Sequence, residues 1–201
     1  YRPYKQKRRT RGSMAREKGL APLAEAIFAQ DGQDPAKLAE SYIDPEKGVN
    51  TIEEALQGAN DIIAEDLSDD ADIRKALRDL VLRKGLFTCK AAEDAEENGV
   101  YKLYYDFSQP ISRLLDHQIL AINRGEKEGF LKVNIAVDTV AAIAEIEKLY
   151  IENDSRCAQV VKEAIADSYS RLIHPSLDTE IRNGLTEVAC EGAIKVFGDN
   201  L

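Results

Sequence analysis

The chain has 201 residues, 44% hydrophobic and 31% charged, a balance that suits a folded protein with a real core and excludes wholesale disorder. Aromatics are only 6% and tryptophan is absent, which disfavours an all-β sandwich, and no apolar run reaches the roughly 18 residues of a membrane-spanning helix. The net charge of −9 is unevenly divided. In the first twenty residues Arg2, Lys5, Lys7, Arg8, Arg9, Arg11, Arg16 and Lys18 face Glu17 alone, so a basic arm precedes a strongly acidic body.

Residues 1–12 have no apolar periodicity and read as an extended arm, lacking the apolar stretch of a signal peptide. Ser13 is the expected cap of a helix running to about Gln30, with Leu20, Leu23, Ala24, Ile27 and Phe28 on one face and a weak point at Gly19. Asp34-Pro35 opens a short helix to Tyr42, and Asp44 to Gly48 is a turn. Thr51-Ile-Glu-Glu54 is a capping box, followed by the 3.6-residue stripe of Ile52, Ala55, Leu56, Ala59, Ile62 and Ile63. Another helix starts after Ser68-Asp69-Asp70, buries Ile73, Ala76, Leu77, Leu80 and Val81, and stops at Gly85.

Residues 86–98 and Tyr101 to Ser108 are both expected to be helical, and Pro110 opens the helix leading to His117. The stretch from His117 to Lys132 is expected to organise the chain. There Arg124-Gly125, Glu126-Lys127-Glu128 and Gly129 suggest a backbone break between two buried elements. Residues 130–135 alternate with period two and predict a short extended segment. Asp138 caps a helix with Val140, Ile143, Ala144 and Leu149 inward. A further stripe carries Val160, Val161, Ala164, Ile165, Tyr169 and Leu172. His174-Pro175-Ser176 is expected to break the chain before a last helix bearing Ile181, Leu185, Val188 and Gly192, giving a helical hairpin with some outline of a helix-turn-helix.

No catalytic or metal-binding constellation emerges. His117 and His174 are far apart in sequence, Cys-x-x-Cys and phosphate-loop patterns are missing, and carboxylate pairs such as Asp61/Glu65 and Asp69/Asp72 are expected among 36 acidic residues. Cys89, Cys157 and Cys190 are isolated and read as reduced thiols of a cytoplasmic protein. Two candidate sites remain. Lys5, Lys7, Arg8, Arg9, Arg11 and Arg16, with Tyr1 and Tyr4 interleaved, have the chemistry to hold phosphate and stack on bases, although they equally suit an acidic protein surface. Arg124, Gly125, Glu126 and Gly129 form the candidate inter-domain contact, with Arg124 as a multidentate donor.

Several stretches taken in order resemble a known family. They are Tyr4-Lys-Gln-Lys-Arg-Arg-Thr-Arg11, Ala15-Arg-Glu-Lys-Gly-Leu20, Tyr42-Ile-Asp-Pro-Glu-Lys-Gly-Val49 and Glu54-Ala-Leu-Gln-Gly-Ala59 with Asp61-Ile-Ile-Ala-Glu65. Tyr105-Asp-Phe-Ser-Gln-Pro110, Leu120-Ala-Ile-Asn-Arg-Gly-Glu-Lys-Glu-Gly129 and His174-Pro-Ser-Leu-Asp-Thr-Glu-Ile-Arg182 complete the set. Together they resemble the Tex family of bacterial transcription accessory proteins, in its helical N-terminal region. The resemblance implies a longer parent that adds a YqgF-type domain, a helix-hairpin-helix segment and a C-terminal OB-fold RNA-binding domain. It also implies kinship with the Spt group of eukaryotic elongation factors. The start at Tyr1, with Met14 the sole methionine, likewise leads us to expect a piece of a longer protein.

The fold expected is all-α, a multi-helical orthogonal or bundle-like assembly with one short extended segment near 130–135. It would consist of a basic arm over 1–12 and a helical domain over 13–201, with 13–109 and 110–201 as candidate subdomains. The expected role is a non-enzymatic scaffold without cofactors, supporting nucleic-acid binding and transcriptional regulation by the parent. RNA or DNA, bound mainly through the parent's other domains, and the transcription machinery are the expected partners, with no membrane. The alternative is a protein–protein interaction module that never touches nucleic acid. A nuclease-like activity would have to come from another domain.

Overall fold

The computed structural model describes residues 9–199. It divides into two compact units, one formed by the stretch up to Arg74 with Ile143–His174, the other by Lys75–Ala142 with the stretch from Pro175. The architecture is mainly α, but a three-stranded antiparallel sheet corrects the all-α expectation.

In the first unit, helices α1 (Arg11–Glu17), α2 (Ala21–Phe28), α3 (Pro35–Glu40) and α8 (Arg156–Ser168) pack around α4 (Ile52–Ser68). The expected single helix from Ser13 is two helices. Thr10, not Ser13, caps α1, and Ser13 answers as the reciprocal member of the capping box. Gly19, at φ +77°, then turns the chain where a side chain would be strained. Thr51 caps α4 by accepting from the Glu54 amide at 3.1 Å, while Glu54 reaches one residue further back than expected, to the Asn50 amide at 2.7 Å. Of the predicted stripe of α4, Ala55, Ala59, Ile62 and Ile63 are buried and Ile52 and Leu56 half-buried; Ala64 and Leu67 join the buried face, and Gly58 sits flush against Leu20. Leu20, Leu23 and Ile27 are fully buried; each such side chain contributes about 1.5–3 kcal/mol.

Gln30 is one of the polar residues buried in this unit, with Asp61, Ser68 and Ser168. Gln30 is 3% exposed and has φ +53°, a strained value for a non-glycine residue. Its amide nitrogen donates to the carbonyls of Tyr150 (2.8 Å) and Phe28 (3.2 Å), and its side-chain oxygen accepts from the Glu152 amide (3.0 Å). Asn153 Nδ2 in turn donates to the Gln30 carbonyl at 2.7 Å. These bonds tie the end of α2 to the segment between α7 (Thr139–Tyr150) and α8, and they offset the strain.

The second unit holds most of α5 (Ala71–Lys84), the sheet, α6 (Asp116–Lys127) and most of α9 (His174–Asp199). Strand β1 (Leu86–Ala91) is central. It pairs antiparallel with β2 (Asp106–Pro110), with Cys89 opposite Phe107, and with β3 (Leu131–Ala136), with Cys89 opposite Val133. The helices expected over 86–98 and 101–108 are therefore replaced by β1, a connection and β2, whereas β3 falls where alternation predicts extended chain. The reason lies in burial. Phe87 and Cys89 alternate into the core at 0% and 1% exposure between more exposed neighbours, a period of two that a helix cannot provide.

Two further expectations change. In α7 the inward residues are Ala142 and Ile146, whereas Val140 and Leu149 are 76% and 46% exposed. The apolar run Val140 to Ala144 gives no unique stripe, so packing decides its orientation. His174-Pro175-Ser176 does not break the chain either. A π-helical turn over Tyr169–Ile173 carries α8 directly into α9, and the His174 amide donates to the Tyr169 carbonyl. Pro175 lacks an amide hydrogen and would press on the carbonyl one helical turn earlier; the wider turn accommodates it without ending the helix. The turn expected at this point is therefore absent from the backbone, which stays helical from Tyr169 through His174.

Candidate nucleic-acid and inter-domain contacts

The arm and the acidic body meet at α1. Lys5, Lys7 and Arg8 lie outside the described residues. The other three candidates sit on and beside α1, which begins at Arg11, inside the stretch expected to be extended. Glu65 of α4 accepts from the Gly12 amide and from the Thr10 hydroxyl, placing a carboxylate at the positive end of the short helix. Arg16 pairs with Asp66 at 2.7 Å and Arg9 with Glu17 at 3.4 Å, both pairs being substantially exposed. Arg11 is exposed, and its charge acts on Asp61. Asp61 is almost fully buried. Burial raises its carboxyl above the usual range, opposed by a hydrogen bond from Gln57 and by the guanidinium groups of Arg171 and Arg11. Arg11 and Arg16 therefore face carboxylates of α4 fifty residues away in sequence, whereas Arg9 pairs with Glu17 of α1.

The second candidate site is not a loop. Arg124, Gly125 and Glu126 belong to the last turns of α6, and the backbone turns only at Gly129, with φ +86°. Gly125 is a packing glycine. A Cβ there would lie 2.4 Å from Leu131 Cδ1 and 3.1 Å from the Tyr101 ring, so its absence lets β3 and Tyr101 approach the helix. Glu126 accepts two hydrogen bonds from Arg182 of α9, at 2.9 and 3.2 Å. Arg182 also donates to Asn123 Oδ1 at 2.8 Å and lies 5.5 Å over the Phe87 ring. Asn123 donates to Thr186 (2.8 Å), which donates to the Arg182 carbonyl (2.8 Å). Glu126 is thus spent within its own unit. Arg124, by contrast, is exposed at the rim of a recess lined by Tyr101, Tyr105 and Phe130.

Arg182, Asn123 and Thr186 are the members of this network that sequence reasoning missed, and Arg182 is the one that joins them to Glu126. The signal of Arg182 was at most a basic residue on the polar side of the last helix. Cys89 is buried beside the same network, its thiol pushed up to about 11 chiefly by burial and further by Glu126. Cys157 is buried too; burial raises its thiol, which donates to the Gln33 carbonyl at 3.1 Å, while Cys190 is exposed. His174 packs against Tyr169 with ring centroids 5.7 Å apart, and His117 is exposed on α6. Among the described residues, no group of three or more His, Cys, Asp or Glu side chains is placed to hold a metal ion, and no helix is long and apolar enough to cross a membrane.

Two helical units, an acidic surface and a short antiparallel sheet define a mainly-α protein region. Residues 30–197 match the family model described as Tex central region-like. Over its whole length the chain is 44% identical to the uncharacterized protein YdcI of Bacillus subtilis, of which it covers 28%. It is 35% identical to protein tex of Bordetella pertussis, with all of this chain and 27% of that protein aligned. With S1 RNA-binding domain-containing protein 1 of Homo sapiens the identity is 31%, over 99% of this chain and 21% of that protein. The chain belongs to the Tex family, and it spans little more than a quarter of the length of the bacterial relatives.

Proposed function

We propose that this chain is a non-enzymatic helical scaffold within a Tex-type transcription accessory protein, supporting RNA or DNA binding by the longer protein and thereby regulation of transcription. The observation that carries this reading is the sign of the surface around α1. The body presents carboxylates, and those of Glu17 and Asp66 hold Arg9 and Arg16. Such a body repels a polyanion, leaving strand contact to the basic arm and to other parts of the longer protein. Exposed ion pairs of this kind are worth about 0–1 kcal/mol, so a phosphate backbone can displace the carboxylates. The human relative is named for an S1 RNA-binding domain, which supports RNA binding by the longer protein. Three unpaired cysteines, two of them buried, support a reducing, cytoplasmic setting.

The test is fluorescence anisotropy with single-stranded RNA and duplex DNA at several salt concentrations. The chain is compared with a variant carrying Lys5→Gln, Lys7→Gln, Arg8→Gln and Arg9→Gln, which leaves the Thr10 cap intact. Four phosphate contacts give a log–log salt slope of about −3. The expected result is such a slope for the chain and its loss in the variant, with Asp66→Asn tightening binding up to about fivefold by freeing Arg16. Undiminished binding by the variant would overturn the assignment to the arm. No binding by either would favour a protein-interaction module without nucleic-acid contact.

A further inference from the structure

The connection between β1 and β2, residues 92–105, presents two apolar side chains to solvent, Val100 at 94% and Leu103 at 86% exposure. A lone exposed apolar residue needs no explanation. These two differ in how the backbone beneath them is held. Tyr101, between them, turns inward to 8% exposure, donates to Glu128 Oε2 at 2.7 Å and pairs with the Phe130 ring at 6.2 Å. Tyr105 donates to the Glu96 carbonyl at 2.6 Å across Gly99, where a Cβ would meet its hydroxyl at 2.5 Å. The Ala92 amide donates to the Phe130 carbonyl at 2.9 Å, and the Tyr104 amide to the Tyr101 carbonyl at 2.8 Å. Val100 and Leu103 are therefore fixed outward on a braced backbone. Val100 also borders the aromatic recess of Tyr101, Tyr105 and Phe130. A pre-ordered surface of this kind forfeits little conformational entropy on binding.

The charge around it selects the occupant. Residues 92–106 carry Glu93, Asp94, Glu96, Glu97 and Asp106 against Lys102 alone, and at the recess Arg124 is countered by Glu96 and Glu128. A nucleic-acid strand meets like charge here despite the aromatic walls, and so does a second copy of the same patch. The complement is cationic and apolar. We propose that the 92–105 connection is a docking site for a basic, apolar segment of a partner protein. Its aliphatic side chains would pack on Val100, Leu103 and the recess, while its Lys or Arg residues face Glu93, Asp94, Glu96 and Glu97. The small area suits a transient contact rather than a permanent one. This inference does not depend on whether the arm touches nucleic acid.

The probe is a random 12-residue peptide display library selected against the full chain and counter-selected against the Val100→Asp/Leu103→Asp double variant. Both positions are exposed, so the variant is expected to fold, with unchanged circular dichroism and melting as the control. The variant is also two charges more acidic, so non-specific attraction of cations rises while apolar docking falls. Selected peptides are expected to combine Lys or Arg with Leu, Val or Phe, and to bind the double variant at least tenfold more weakly. Val140→Asp, at another exposed apolar position, is expected to leave binding unchanged. Failure to enrich peptides above the counter-selected background, or enrichment of acidic ones, would overturn the proposal. Preferential retention of single-stranded RNA 12-mers by the chain over the double variant would overturn it in favour of a strand-binding platform. A shift from dimer to monomer in the variant would overturn it in favour of self-association.

Discussion

Tyr150 donates its phenolic hydrogen to Oδ2 of Asp70, the carboxylate whose Oδ1 accepts the Ile73 amide at 3.0 Å in the first turn of α5. One side chain therefore caps a helix and anchors the end of α7. The hydrogen bond to Asp70 is the main reason the Tyr150 hydroxyl is pushed up to about 12, with burial adding to it. Because the folded state holds this proton more tightly than the unfolded chain, the stabilisation is complete below about pH 10 and is lost as the pH rises to about 12. Absorbance titration of tyrosinate together with denaturant melts across that window is expected to show the loss. Tyr150→Phe is expected to flatten it, at a cost near 1 kcal/mol at neutral pH.

Gln30 offers a separation of backbone strain from hydrogen bonding. Gln30→Gly relieves the positive φ but abandons the bonds to Tyr150, Phe28 and Glu152, whereas Gln30→Ala abandons them and keeps the strain. Both are expected to lower unfolding free energy, by about 2 kcal/mol for glycine and about 1 kcal/mol more for alanine, measured by urea melts. Alanine proving the milder substitution would sink the strain assignment.

Gly125 and Gly129 are expected to respond differently to alanine. At Gly125 the added methyl gains about 1 kcal/mol of helix propensity but overlaps Leu131, so a net loss of about 1–2 kcal/mol is expected. Gly125→Ala/Leu131→Val should recover part of it. At Gly129 nothing lies within 4 Å of the added carbon, and the loss, about 1 kcal/mol, comes from φ +86° alone. For Gly129→Ala no truncation elsewhere should restore stability.

Arg182 links α9 to α6 through Glu126 and Asn123 and lies over Phe87. Its side chain is 18% exposed, so its bonds are less screened than those of a surface pair. Arg182→Met is expected to cost about 2 kcal/mol, and Arg182→Lys about half as much, since lysine retains charge but not the paired geometry. A double-mutant cycle with Glu126→Gln should give a coupling near 1 kcal/mol. Zero coupling would show that the pair is geometric only.

Much of the helical framework was legible because its signals are local. Thr51 and Glu54 announce the start of α4, and the stripe from Ala55 to Ile63 needs only a period of 3.6. Strand β3 was legible from alternation. Strand β1 was not, because Leu86–Ala91 has only two inward positions, Phe87 and Cys89, in a stretch whose Leu, Cys and Ala suit a helix equally well. Strand β2 exists through pairing of Phe107 with Cys89, which no window of sequence contains. The candidate contacts follow the same division. The basic character of the arm was plain, but not that Asp66 would meet Arg16 across fifty residues. Gly125 reads as a break until Leu131 is seen against it.

The three cysteines make the protein its own reporter of local opening. Cys157 belongs to the first unit and Cys89 to the second, each buried with its thiol held in the poorly nucleophilic protonated form, while Cys190 stands in solvent. A maleimide should therefore modify Cys190 at once and the other two only when their surroundings unfold. Mass spectrometry of the adducts would then time the breathing of each unit separately in one sample, with no engineered label.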